Sequence, residues 1–294
     1  MGHALFPFSH NNGYLCNKIW TAMLHYISFG SGSSGNCSCL YTERTRLLID
    51  AGLGTRTLKK WFCNYNIHPS AIDGILVTHD HTDHAKSAGS LSHDFDIPVY
   101  TTAQVHAGME RNWCLRRKIA SEQAHNIEKG VPFHIGDLTV TAFGVPHDSA
   151  DNVGYCVEHE DVTFVLMTDI GHVTEDIKHY ISKANYLVIE ADYETEMLDH
   201  GHYPEHLKRR IRGPYGHMSN DECAKAIIDN ATPCLRHVWL CHLSNENNHP
   251  DLAETTVRQT LRAHGIVAGD DPAADFKLDV LRRKTPSPIF NLQP

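Results

Sequence analysis

Short apolar runs separated by polar punctuation dominate the chain beyond residue 22. His25-Tyr26-Ile27-Ser28-Phe29 predicts a first strand, and Cys39-Leu40-Tyr41 with Arg46-Leu47-Leu48-Ile49-Asp50 predict a paired second and third. Residues 55–65 predict a helix, Ile75-Leu76-Val77-Thr78 a buried strand, and 83–92 another helix. Later strands are expected near 97–101, 138–143, 153–158, 162–167, 186–190 and 237–241. Later helices are expected near 102–112, 174–183, 204–212, 219–230 and 251–264. Strands follow one another directly at first and alternate with helices afterwards, which predicts two sheets covered by helices in a layered α/β arrangement. Residues 1–22 show no clear period and carry Ser9, Asn11, Asn12 and Gly13; they are expected to be an extension outside one domain spanning 23–294.

Composition narrows the class. With 41% hydrophobic and 21% charged residues in 294, the chain can build a core without disulfides or structural metals. No apolar run approaches the roughly 20 residues that span a bilayer, and no basic segment precedes an apolar one at the start. No membrane association is expected. Nine cysteines include no CxxC pair, and Cys37 and Cys39 sit two apart, so a reducing cytoplasm is the expected compartment. A net charge of −9 argues against coating nucleic acid by bulk electrostatics but leaves room for a local basic groove. The unusual count is 23 histidines, which raises metal chemistry without locating it.

Placement locates it. Thr78-His79-Asp80-His81-Thr82-Asp83-His84 directly follows a buried strand. In extended chain, i and i+2 point the same way, so His79 and His81 can grip one ion. A helix starting near Asp83 turns Asp83 and His84 toward a second ion, and nitrogen and oxygen ligands of this kind suit zinc, manganese or iron. Further single candidates end apolar runs: His147 after Val145-Pro146, Asp169 after Phe164–Thr168, and His242 after Val238–Cys241. Glu190 closes the buried run Leu187-Val188-Ile189, and His217 precedes a helix. The loop Gly30-Ser31-Gly32-Ser33-Ser34-Gly35-Asn36 can bring backbone N–H groups to a phosphate, with Ser33, Ser34 and Asn36 as candidates. Lys208-Arg209-Arg210-Ile211-Arg212 is the densest basic run and a candidate backbone-binding element. Arg111–Lys118, with Trp113 inside it, reads as a solvated helix face.

The series His79-x-His81-x-Asp83-His84, His147, Asp169 and His242 resembles the ligand set of metallo-β-lactamase-fold hydrolases. That resemblance implies a four-layer αββα sandwich with two divalent metal ions, zinc foremost, at one edge. By carry-over, His79, His81 and His147 hold one ion, Asp83, His84 and His242 the other, and Asp169 bridges. A finer resemblance is to YycJ-type (WalJ/VicX) metallohydrolases. It is carried by Gly30–Asn36, Leu48-Ile49-Asp50-Ala51-Gly52, Asp169-Ile170-Gly171-His172-Val173, Arg209-Arg210-Ile211, Gly216-His217-Met218-Ser219-Asn220 and His242–Asn248.

The finer resemblance implies a DNA exonuclease acting on double strands from the 5′ end, whose genes often accompany a two-component signalling system. Asp50 resembles the family's carboxylate behind the metal ligands. Glu190 and His217 resemble the pair flanking the metals in the tRNA-processing nuclease RNase Z. Asp83, Glu190 and His217 are therefore the candidate catalytic residues. A metal-bridging hydroxide is expected to attack phosphorus while His217, kept protonated by Glu190, protonates the leaving oxygen. The short spacings from His147 to Asp169 and from Asp169 to His242 leave no room for the tRNA-gripping arm or the large cap domain of related nucleases. The rivals are a small-molecule thioesterase of the same fold and a non-catalytic metal-binding partner of a signalling system. A thiolate leaving group needs no proton, so Glu190 and His217 weigh toward phosphoryl chemistry.

Overall fold

The computed structural model describes residues 23–294, and the expected extension over 1–22 lies outside the described residues. One seven-stranded sheet contains β1 (Leu24–Gly30), β2 (Cys37–Tyr41), β3 (Arg46–Ile49), β4 (Gly74–Leu76), β5 (Val99–Thr101) and β6 (Ala124–Asn126). The second, also of seven, runs through β7 (Phe133–Ile135), β8 (Leu138–Gly144), β9 (Val153–His159), β10 (Val162–Met167), β11 (Tyr186–Glu190), β12 (His237–Cys241) and β13 (Lys277–Val280). The last strand, β14 (Phe290–Leu292), returns to the first sheet and pairs with β1, Leu24 opposite Leu292.

Both sheets follow one plan. From one edge, three antiparallel pairings are followed by three parallel ones. Antiparallel neighbours need only a hairpin, whereas parallel neighbours need a crossover, here supplied by helices. The change of direction falls at β3 in one sheet and β10 in the other. Open sheets form clefts beyond strand ends at such points.

Strand alternation sorts the side chains into three apolar layers. Leu47, Ile49, Phe164, Leu166, Val188 and Trp239 fill the space between the sheets. Their neighbours Val165, Met167, Leu187, Ile189, Val238 and Leu240 face outward under α5 (Glu175–Lys183), α8 (Asn220–Asn230) and α9 (Pro250–Ala263). Leu48, Ile75 and Val77 face the other way, under α1 (Thr55–Asn64), α3 (Ala88–Phe95) and α4 (Ala103–Arg111). Each fully buried aliphatic or aromatic side chain contributes about 1.5–3 kcal/mol. The result is the two helix-covered sheets that the residue pattern predicts, in the αββα sandwich that the resemblance implies.

Differences from the expected elements have local causes. The helix expected over 83–92 splits into α2 (Thr82–Ala85) and α3. The carbonyl of Asp83 accepts from Asn36 N at 2.7 Å, and Ser87 N donates to Ala51 O at 2.8 Å, so the bond from residue 87 back to 83 is replaced by two tertiary ones. Strands β6, β7, β13 and β14 are three or four residues long with mixed polarity, and α6 (Thr195–His200) is one short turn; none carries a legible period. The remaining helix, α7 (Glu205–Ile211), lies within its expected range.

Candidate metal centre

Each side chain of the cluster is delivered by a segment that leaves a strand. His79 follows β4, His147 follows β8, Asp169 follows β10, Glu190 ends β11 and His242 follows β12. Three positions that turn out of strands adopt left-handed backbone: Asp50 (φ 61°), Asp169 (φ 56°) and His242 (φ 55°). For a residue with a Cβ this conformation costs about 1–2 kcal/mol, so the surroundings must hold it. Asn152 Nδ2 donates to the carbonyls of Thr168 and Asp169, Ser31 Oγ accepts from His242 N, and Asp50 N donates to Leu76 O.

The turns bring two ligand groups together. His79, His81 and His147 offer atoms within 4.8 Å of one another, as do Asp83, His84 and His242. Asp169 stands between them. Its Oδ1 lies 3.6 Å from both His147 Nε2 and His242 Nε2, and its Oδ2 lies 3.3 Å from His84 Nε2.

The donor set fits divalent cations. His79 Nε2 is buried without a hydrogen-bond partner, and His242 makes no well-formed hydrogen bond through either ring nitrogen, although Glu190 Oε1 lies 3.2 Å from its Nδ1. Burying such groups unpaired is costly, which an ion between them would relieve. Carboxylates and carbonyls behind the ligands set the tautomers. His84 Nδ1 donates to Asp50 Oδ2 at 2.7 Å, and His147 Nδ1 donates to Gly216 O at 3.1 Å, which turns each Nε2 toward the cluster. Asp50 also accepts from Thr78 N and Oγ1.

Charge and burial compete at every group. Burial pushes the His79 imidazole well below its usual range, and neighbouring His84 adds to this. Burial also opposes a charge on His84, but Asp169, Asp50 and Asp83 outweigh it and raise its pKa to about 10. Burial would raise Asp169, yet His242, His84 and His79 hold it well below the usual carboxylate range. A ligating His84 must therefore give up a proton that these carboxylates hold. Metal affinity is expected to fall as pH falls, because the proton competes for His84. Zinc titrations near neutral pH, in buffers of different ionisation enthalpy, should show proton release and a raised melting temperature. Binding with no proton release would refute this assignment.

Glu190 is fully engaged. Its Oε1 accepts from His217 Nδ1 at 2.9 Å, and its Oε2 accepts from Ile170 N at 2.7 Å and Met218 N at 3.1 Å. Burial opposes its charge, but His217 and His242 hold its pKa down to about 2. On His217, burial lowers the pKa, and Glu190, Asp192 and Asp169 outweigh it to give about 9. His217 stays about one-fifth exposed and lines a cleft of about 200 Å³ with Ser33, Asp148, Asp192, Arg210 and His242.

The other expected site residues divide. Ser33 reaches the cleft, while Ser34 is exposed and outside its lining. Asn36 is turned inward: its Oδ1 accepts from Gly32 N, and its Nδ2 donates toward Gly32 O, Asp83 O and His84 Nε2. It braces the loop and the ligand segment rather than presenting a donor to the cleft. Arg210 lines the cleft and donates to Asp148 Oδ2 at 2.5 Å. Lys208 departs from its expected substrate-facing role, because its buried ammonium donates to Asp199 O at 2.6 Å. Arg209 is exposed, with Nε 3.5 Å from Glu205 O and outside the cleft lining. Residues 112–118 are a loop after α4, not the expected helix face. Ser31, Asp148, Asn152 and Asp192 also serve the site without a signal in the sequence, because each is an ordinary polar residue whose partner (His242, Arg210, the carbonyls of Thr168 and Asp169, and His242 in turn) lies elsewhere along the chain.

Two facing mixed sheets with a histidine–aspartate cluster at their strand ends define a metal-dependent hydrolase of the metallo-β-lactamase fold. Residues 45–242 match the Beta-lactamase superfamily domain. The chain is 36% identical over 247 residues to the exodeoxyribonuclease YycJ of Bacillus anthracis, covering 84% of this chain and 92% of that one. It is 34% identical over 267 residues to the exodeoxyribonuclease WalJ of Streptococcus pneumoniae serotype 2, covering 91% and 97%. The chain belongs to this YycJ/WalJ family of the metallo-β-lactamase superfamily. The crystal structure of the metallo-β-lactamase fold protein YhfI from Bacillus subtilis shares the fold, with a TM-score of 0.67 at 14% identity over 92% of this chain and all of that one.

Proposed function

We propose that the chain is a dinuclear metal-dependent phosphodiesterase that degrades double-stranded DNA from the 5′ end in the cytoplasm, with zinc as the preferred metal. Residues 23–294 act as one unit, since β13 and β14 complete both sheets. Among the described residues no helix is long and apolar enough to cross a membrane. The observation that carries the reading is Asp169 standing between two ligand groups, beside a histidine locked to a buried glutamate. His79, His81 and His147 would hold one ion, Asp83, His84 and His242 the second, with Asp169 shared. Bound divalent ions would supply Lewis acidity toward the phosphate and an activated water.

The chain's own residues supply the rest. Glu190 holds His217 by its Nδ1, so the Nε2 proton is directed away from Glu190, toward the leaving oxygen of a substrate in the cleft. Asp83 completes the second ligand group. Arg210, tethered to Asp148, offers a guanidinium to the phosphate backbone. A proton donor matters for an alkoxide leaving group and little for a thiolate, which weighs against a thioesterase.

A metal-dependent assay on 5′-end-labelled duplex DNA, single strands, RNA and a thioester tests the reading. Mononucleotide release from the labelled end of the duplex supports it; thiol release without nuclease activity overturns it. His217→Ala should slow DNA cleavage by about 10²–10⁴-fold, the usual scale for a positioned acid, while both ions stay bound. Loss should be smaller on bis(p-nitrophenyl) phosphate, whose leaving group needs little protonation. Wild-type rates on DNA in His217→Ala would remove the proton-donor assignment.

A further inference from the structure

Five large apolar side chains stand exposed among the described residues, and two are aromatic: Trp113 (87% exposed) and Tyr215 (59%). A single exposed aromatic is ordinary. These two both sit on loops that lean on the metal-ligand segments. Asn112, beside Trp113, donates through Nδ2 to Asp80 O at 2.8 Å, and Asp80 lies between His79 and His81. The same Asn112 accepts from Cys114 N, while Lys118 Nζ donates to Met109 O and Asn112 O, and Leu115 is buried as an anchor. The loop is thus braced with its tryptophan left outside.

Tyr215 is held in a parallel way. Its carbonyl accepts from Asp148 N at 3.0 Å, and the carbonyl of the next residue, Gly216, accepts from His147 Nδ1. His172 packs edge-on against the Tyr215 ring at 6.3 Å and donates through Nδ1 to Pro214 O. The segment from His147 to Ala150 joins the two loops: Asp148 meets Tyr215, and Ala150 N donates to Asp80 Oδ1. Exposed cations accompany both aromatics: Arg111 at the end of α4 and Arg116 in the loop flank Trp113 along the chain, and Arg210, paired with Asp148, lines the cleft with Gly216, the neighbour of Tyr215, while the acid nearest Trp113 along the chain is Glu110, on α4. Braced aromatic rings with cations alongside are what proteins use to stack unpaired bases and track a phosphate backbone.

We infer that Trp113 and Tyr215 are positioning residues that stack unpaired nucleobases of a DNA end beside the segments that carry His79, His81 and His147. This rests on the nuclease reading and deepens it, since a small ester would need neither ring. Both side chains are exposed, so alanine variants should fold. Trp113→Ala and Tyr215→Ala are each expected to raise KM about tenfold or more on 5′-labelled duplex DNA carrying a short single-stranded end. The loss on DNA should exceed the loss on bis(p-nitrophenyl) phosphate. Trp113→Phe and Tyr215→Phe should restore most of the affinity, because the ring rather than its polar atom does the stacking. Oligothymidylate added under chelation should quench tryptophan emission in the wild type and much less in Trp113→Phe. Alanine variants with KM on DNA within twofold of wild type would overturn the stacking role and leave the nuclease reading standing. Wild-type protein that cleaves bis(p-nitrophenyl) phosphate but no DNA would overturn both.

Discussion

Asp169→Asn should reduce phosphodiester cleavage by at least about 10³-fold, the scale of loss when one member of a catalytic unit is removed. The substitution keeps the side chain's shape and removes its charge. In the wild type the carboxylate faces His84, His147 and His242 within 3.3–3.6 Å, and no other single group among the described residues does so. Both ligand groups therefore lose their shared anion together. The fold should persist, because its stability lies in three apolar layers built on residues such as Tyr26, Phe164, Trp239 and Phe62, away from the strand ends. The measurement is a rate assay paired with metal content and a thermal melt. His81→Ala should behave alike through the His79–His81–His147 group alone. Activity of Asp169→Asn within tenfold of wild type would refute a shared role.

Gly52→Ala should be nearly as damaging, from a residue with no chemistry of its own. A Cβ there would lie 1.5 Å from Asp83 O, 2.1 Å from Asp83 C and 2.8 Å from His84 N. Asp83 and His84 cannot yield freely. Their carbonyls accept from Asn36 N and Ala51 N, and Gly52 N itself donates to Asn36 O. Overpacking of this kind costs about 1–3 kcal/mol. A displacement of about 1 Å in catalytic groups can cost about 10²-fold in rate. The variant should melt lower, lose metal from the Asp83–His84–His242 group and cleave poorly. Gly54→Ala, where a Cβ meets nothing within 4 Å, is the control and should change stability by less than about 1 kcal/mol. Equal melting temperatures and activities for the two variants would show that the Asp83–His84 backbone is not the constraint.

The candidate ligand residues and most of the layered fold are legible in the sequence because both depend on local pattern. Apolar runs of strand length ending in histidine or aspartate mark where a sheet edge gathers polar groups, and the i, i+2 spacing of His79 and His81 needs only an extended chain. The same logic fails for Lys208 and Asn36. A basic run shows charge but not direction, and Lys208 is decided by a carbonyl of Asp199 on a preceding turn. Asn36 is drawn inward by Asp83 and His84, which are 47 and 48 positions away.

The sequence by itself determined the chemistry: which residues can ligate, that they end strands, and that the chain builds two sheets under helices. Tertiary structure alone decided how those residues meet. The left-handed turns at Asp50, Asp169 and His242 have no glycine to announce them; they exist because Leu76, Asn152 and Ser31 supply hydrogen bonds across the sandwich. The break after α2, the inward turn of Lys208 and the loop that leaves Trp113 in solvent arise in the same way. Each is a choice between partners distant along the chain, and hydrogen bonding at that range leaves no periodic trace in the order of residues.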